Sequence, residues 1–169
     1  QRHYLSLADA EGAQSDYCRS PMTTGEPYVT NPVPYLIDSQ WVLLLSAAFP
    51  VSRDGEVIGV VGVDFDLSAL SAQFASIRPY GDGVVSLISH DLMWAATSDA
   101  AQLGEAVAED ADFWPTSEVG PSIPQEVTIV AGENVLLHLL SPIHLRQFDR
   151  RWMVVISVPE ATVMADAVQ

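Results

Sequence analysis

Two carboxylates, Asp64 and Asp66, close a nearly continuous apolar run that extends from Val57 to Val63. A carboxylate at the end of a buried strand must be paired, cap a helix, or meet a ligand. By strand alternation Asp64 shares a face with Ile58, Val60 and Gly62, so its side chain is aimed beside an apolar wall with a glycine gap next to it. Ligand contact is the functional expectation for Asp64, set against a role as cap for a helix starting near Leu67, which Asp66 or Ser68 fills equally well. Tyr17, Tyr28 and Tyr35 are the aromatic candidates; rings that line a pocket and rings that fill a core look alike in sequence.

The other reactive residues assemble into nothing. His3, His90, His138 and His144 have no zinc-ligand spacing. The acidic run Glu105, Glu109, Asp110 and Asp112 lacks the alternating loop spacing and fixed glycine of a calcium site and reads as a solvated face. Gly59-Val60-Val61-Gly62 lies within a strand and so is no phosphate loop. No nucleophile elbow is visible. The sequence therefore predicts no catalytic residues, no metal site and no cofactor, and an enzyme is a distant hypothesis.

The elements that must position these residues follow from period and punctuation. Apolar side chains on both parities of 56–63 predict a strand covered on both faces. It is the second arm of a hairpin turning at Arg53-Asp54-Gly55. Trp41 to Ala48 leads into that hairpin, paired with Tyr35-Leu36-Ile37 across a turn at Asp38-Ser39, while Asn31-Pro32-Val33-Pro34 forces extended backbone. Residues 1–26 offer no obvious core element, only a short helical or loop segment at Ser15–Arg19. After Asp66 the period changes: Leu67, Leu70, Phe74 and Ile77 predict a helix over 67–77, ended by the proline and glycines of 79–83. Five strands follow, at 84–89, 93–97, 126–130, 135–140 and 152–158, with a helical acidic insert from about Ser98 to Glu118. Pro159 is placed as the first residue of a terminal helix. The fold class is α+β, with two antiparallel sheets flanked by helices.

Composition narrows the partners. The chain of 169 residues carries 22 acids against seven Arg and no Lys, a formal net charge of −15. Nucleic acid is repelled by such a field, whereas small cations and amine-bearing zwitterions are concentrated by it. Cys18 is the single cysteine, so no internal disulfide forms. No apolar run reaches the ~20 residues that span a bilayer, and the N-terminus has no signal-peptide pattern. The chain reads as an excised fragment.

In combination, several stretches resemble the extracytoplasmic double Cache (dCache) sensor domains of bacterial chemoreceptors and sensor histidine kinases. They are Asp16-Tyr17, Thr24-Gly25-Glu26-Pro27, Thr30-Asn31-Pro32, Ser46 to Val51, Asp54 to Leu70, Pro79 to Gly83, Leu103-Gly104 and Trp152 to Pro159. The resemblance covers about residues 15–159. It implies two stacked PAS-like modules: a membrane-distal one within 1–78, represented by its later strands and ending in a linker helix, and a membrane-proximal one at 79–158. Residues 159–169 would begin a helix leading to a membrane segment outside this stretch. It also implies a periplasmic location, no enzymatic activity, membrane anchoring and a homodimer in the intact receptor. In amino-acid-binding members an arginine, a tryptophan and a tyrosine hold the ligand carboxylate, while a tyrosine and aspartates hold its amine. Tyr17 and Asp64 match the tyrosine and the strand-end aspartate. Gln14, Asp16, Val33 and Tyr35 stand where arginine, tryptophan, a second tyrosine and an aspartate are usual, and Arg19 is the substitute cation. Asp64, Tyr17, Tyr35, Arg19, Tyr28 and Ser46 are thus the candidate ligand-binding set, for an amine, an amino acid or a small carboxylate. The alternative is a Cache-fold structural or protein-interaction spacer with no small-molecule ligand.

Overall fold

The computed structural model describes residues 13–99, 101–107, 124–131 and 134–167. The chain divides into two compact units, Gln1–Asp66 and Leu67–Gln169.

The first unit is built on one long hairpin, β3 (Gln40–Arg53) and β4 (Glu56–Asp66). Its turn places Asp54 and Gly55 at φ 53° and 86°, the double left-handed geometry whose twist matches that of antiparallel strands. The turn between β2 (Val33–Ile37) and β3 uses the same geometry at Asp38 and Ser39. Strands β1 (Tyr28–Val29) and β2 pair one after the other along one side of β3, and β4 pairs along the other, all antiparallel. The register sets Tyr35 opposite Val42, Ser46 opposite Asp64 and Ala48 opposite both Tyr28 and Gly62. Directly opposed side chains share a face, so Tyr28, Tyr35, Ser46, Gly62 and Asp64 lie on one side of the sheet.

Two expectations fail here. The run 56–63 is not covered on both faces: Val61 is 59% exposed and Phe65 48%. Among the described residues β4 pairs only with β3, and an edge strand draws less cover than its apolar sequence suggests. The segment before Gly25, expected to supply no core element, is a 12-residue helix, α1 (Ala13–Thr24), packed on β3 and β4. Pro21 within it hides the helical signal, yet Pro21 is among the most fully buried side chains. Gly25, at φ 71°, ends the helix with its N–H donating to the Pro21 carbonyl at 3.0 Å, a glycine stop of the usual left-handed kind.

The second unit opens with α2 (Leu67–Ser76), followed by β5 (Val84–Ile88), β6 (Trp94–Ala96), β7 (Gln125–Ala131), β8 (Asn134–Leu145), β9 (Arg150–Pro159) and α3 (Glu160–Ala167). The five strands form one antiparallel sheet in the order β6-β5-β9-β8-β7. Helix α2 packs against β5 and β6, and Ser71 Oγ accepts the Thr97 N–H at 3.3 Å. The core is Ile88, Val107, Leu140, Met153 and Val155, with Leu92, Trp94 and Val127 against it. Pro159 closes β9 and precedes the helix, one position earlier than expected. Most of the expected helical insert over 98–118, with Glu109, Asp110 and Asp112, lies outside the described residues; of those described, the Gln102 N–H donates to the Asp99 carbonyl and the Glu105 N–H to the Gln102 carbonyl, as in turns.

Candidate functional site

The first sheet and α1 bring Tyr17, Tyr35, Ser46 and Asp64 together. Ser46 is 1% exposed at the centre of β3. Thr30 holds both of its backbone groups: Thr30 Oγ1 accepts the Ser46 N–H, and the Thr30 N–H donates to the Ser46 carbonyl, each at 2.9 Å. From this held position the Ser46 hydroxyl donates to Asp64 Oδ1 at 2.5 Å, in the short range of charge-assisted hydrogen bonds.

Asp64 is therefore not a helix cap. It is also not desiccated: the residue as a whole is exposed, so one oxygen is engaged by Ser46 while the side chain still reaches solvent. That corrects the picture of a carboxylate stripped of hydration at a strand end. The reason is the edge position of β4, which leaves its last residues open.

Two phenols flank this carboxylate. Tyr17, on α1, is half-buried and its pKa is pushed up to about 12, by burial first and then by the negative charges of Asp64, Cys18 and Tyr35. Burial and Asp64 also raise Tyr35, partly offset by its hydrogen bond with Ser46. Both hydroxyls therefore keep their protons at neutral pH. Among the described residues the titratable groups acting on the two phenols are all acidic.

Gly62 sets how close Tyr17 comes. A Cβ added at Gly62 would sit 1.8 Å from Tyr17 Oη and 2.6 Å from its Cζ, so the phenol tip lies directly on the strand backbone. Only a residue without a side chain leaves that space. The glycine gap beside Asp64 was visible in the sequence; its use by Tyr17 was not. Thr30 was missed as well, because a hydroxyl that holds a backbone amide across two strands has no local sequence signal.

The remaining candidates fall outside the cluster. Arg19 is exposed, two residues beyond Tyr17 on α1, and contributes no positive charge to either phenol. Tyr28 shares the sheet face but lies opposite Ala48, one position further along β3 on that face than Ser46. Cys18, whose thiol pKa is raised by burial, acts on both phenols. Among the described residues no group of three or more His, Cys, Asp or Glu could hold a metal ion, and no helix is long and apolar enough to cross a membrane.

Comparison with known proteins agrees with this architecture. No protein-family profile matches the chain. It is 32% identical over 166 residues to the methyl-accepting chemotaxis protein TlpQ of Pseudomonas aeruginosa, which covers 96% of this chain and 23% of that protein. The chain thus spans under a quarter of the length of that curated relative. Among solved structures it is similar to methyl-accepting chemotaxis protein X, with 26% identity, a TM-score of 0.63, and coverage of 81% of this chain and 52% of the other. The extracellular domain of the histidine kinase mmHK1S-Z2 gives 24% identity and a TM-score of 0.69, covering 89% and 57%. The ligand-binding domain of the Pseudomonas aeruginosa PAO1 amino acid chemoreceptor PctB, solved with L-Arg, gives 23% and 0.66, covering 94% and 64%. The fold is the Cache-type α+β fold of extracellular ligand-binding domains of chemoreceptors and sensor kinases.

Proposed function

We propose that this Cache-type chain is the extracytoplasmic sensing part of a transmembrane signal transducer, and that the Tyr17–Tyr35–Ser46–Asp64 cluster binds the ammonium group of a small amine. The observation that carries the reading is the sign of the cluster: one carboxylate, two protonated phenols and a hydroxyl, with no cation among the described residues acting on the phenols. An ammonium brings three donors and no acceptor. Asp64 has an oxygen beyond the one Ser46 engages, and the two phenol oxygens are further acceptors. Aromatic faces and the −15 chain favour the same sign of ligand. A ligand carboxylate would meet Asp64 with no cation among the described residues acting on the cluster's phenols, so an amino acid gains through its amine here. Binding would bias the domain between two conformations, and segments outside this chain would carry that bias across the membrane in a homodimer.

The test is a thermal-shift panel of primary amines, diamines, amino acids and carboxylates against the wild type and Asp64→Asn. An amine at ~100 times its Kd stabilises the fold by roughly 2.7 kcal/mol. The Asn variant keeps an acceptor for Ser46 and loses the charge, so it should melt near the wild type and ignore the amine. Two results would count against this function: amino acids binding while their decarboxylated amines do not, or an amine response that survives in Asp64→Asn. If no compound binds and Asp64→Asn only lowers stability, the cluster is structural and the domain is a spacer.

A further inference from the structure

Two buried side-chain nitrogens among the described residues have no hydrogen-bond partner, His90 Nδ1 and Trp152 Nε1. They are neighbours. The rings stack at a centroid distance of 6.4 Å and an interplanar angle of 28°, and Trp152 is 4% exposed. Most buried polar atoms in a folded protein are satisfied, and each one that is not calls for an explanation. The two exceptions belong to neighbouring rings, so one partner between them would satisfy both.

The chemistry of the two groups constrains that partner. An indole N–H only donates, so whatever meets Trp152 presents an acceptor. His90 Nε2 lies 3.8 Å from Asp91 Oδ2, which leaves Nδ1 for the shared partner, and a protonated imidazole donates there. The surroundings add positive charge. Arg146, Arg150 and Arg151, three of only seven basic residues in an acidic chain, fall within six positions at the start of β9. Arg150 acts electrostatically on His90 from β9, opposed by Asp91 on the turn after β5. Two buried donors with Arg150 acting beside them are opposite in sign to the Asp64 cluster.

We propose that the second unit carries an anion site in which Trp152 Nε1 and protonated His90 Nδ1 donate to one oxygen of a small carboxylate, with Arg150 as the neighbouring cation. This site lies wholly within Leu67–Gln169 and stands whether or not the amine reading of the first unit holds. A neutral imidazole also donates from Nδ1, but only the imidazolium adds a positive charge beside the carboxylate, so binding favours the protonated ring, takes up a proton and tightens as the pH falls. Burial and Arg150 hold the His90 pKa below its usual value while Asp91 pulls it up, and above that pKa the carboxylate Kd should weaken by up to about tenfold per pH unit.

The experiment titrates formate and acetate into the chain at constant ionic strength, at pH 5.5 and pH 8, reading the Trp152 indole N–H resonance and the melting temperature. The resonance is assigned by its loss in Trp152→Phe, a change that removes the donor and keeps an apolar ring. Expected are a saturable shift of that resonance, a larger acetate-induced rise in melting temperature at pH 5.5 than at pH 8 for the same acetate concentration, and no acetate response in Trp152→Phe. Should that variant fail to fold, Arg150→Gln replaces it and should weaken acetate severalfold, since Arg150 is exposed and outside the core. A resonance that does not move with either anion, or acetate stabilisation of equal size at both pH values or in the variant, overturns the site and leaves a water molecule as the shared partner.

Discussion

Gly62→Ala should lower the stability of the first unit and abolish the amine response, for a reason visible in the distances. The new Cβ would lie 1.8 Å from Tyr17 Oη, 2.6 Å from Tyr17 Cζ and 2.8 Å from the Ala47 carbonyl oxygen. The first two contacts are relieved if the Tyr17 ring swings away from β4. The third involves the backbone of the central strand and yields only if the β3–β4 pairing shifts. Overpacking of this kind costs about 1–3 kcal/mol, which in a chain of this size lowers Tm by roughly 2–12 °C, at about 2–4 °C per kcal/mol. Against that stands the ordinary benefit of removing a glycine from a strand, about 0.4–1 kcal/mol where the backbone and the space permit.

Gly59→Ala isolates that benefit. Gly59 lies on the same strand, with nothing within 4 Å of an added Cβ, so it should be neutral or slightly stabilising. Thermal or urea unfolding therefore separates the two variants, with a loss for Gly62→Ala and none for Gly59→Ala. Repeating Gly62→Ala on a Tyr17→Ala background gives a double-mutant cycle; the coupling should recover most of the cost that belongs to the ring and leave the part belonging to Ala47. If Gly62→Ala behaves like Gly59→Ala, or if the coupling with Tyr17 is nil, the phenol does not rest on the strand and the cluster described around Asp64 is wrong.

Thr30→Val removes the only hydroxyl that holds the Ser46 N–H and leaves a buried amide unpaired, so about 1–3 kcal/mol of stability should be lost in denaturant unfolding; Thr30→Ser should restore most of it, and equal behaviour of the two variants would refute the hydroxyl's role. Burial holds the His138 pKa below its ordinary value, while the unfolded chain protonates it near pH 6.5. Between those two values the unfolded state binds more protons, so stability is present in full above about pH 6.5 and is lost as the pH falls through the folded pKa. Melting temperatures from pH 7.5 to 5 should decline, and His138→Gln should flatten part of that decline, with His90 contributing the same sign from its own lowered pKa. A slope unchanged in the variant would refute the assignment.

The strands were legible because their signals are local. Alternation, β-branched runs and the turn pairs Asp38-Ser39 and Asp54-Gly55 each lie within a few residues, and the paired strands follow from them. The failures share one cause, in that neighbours distant in sequence decided the outcome. The run 57–63 has the apolar character of a central strand, but its cover depends on what lies beyond its free edge, which no residue of the run encodes. Helix α1 contains a proline at the ninth of its twelve residues, and its packing on β3 and β4 outweighs the lost hydrogen bond. Helix α2 was correctly placed by its period, yet its packing partners are β5 and β6 of the second unit. Periodicity tells which face of a helix is buried and not what buries it.

The same division runs through the site. Asp64 could be singled out because a charge at the end of an apolar run is anomalous in one dimension, and Tyr17 because it sits in a stretch resembling sensor domains. What they do together depends on register. Ser46 opposes Asp64 only because the bulge at Val51/Ser52 comes at the turn end of the hairpin and leaves the pairing from Val51 to Leu44 regular; a slip of one residue would turn Ser46 to the other face and set a different residue against Asp64. Arg19, chosen as substitute cation for its nearness to Tyr17 in sequence, is two residues away on a helix, about 200° around its axis, and two residues apart on a helix do not face each other. The sign of the cluster follows from that geometry. With Arg19 turned away, the charges among the described residues that act on the phenols are acidic, and what the sequence left open between amine, amino acid and carboxylate becomes the proposal of an amine.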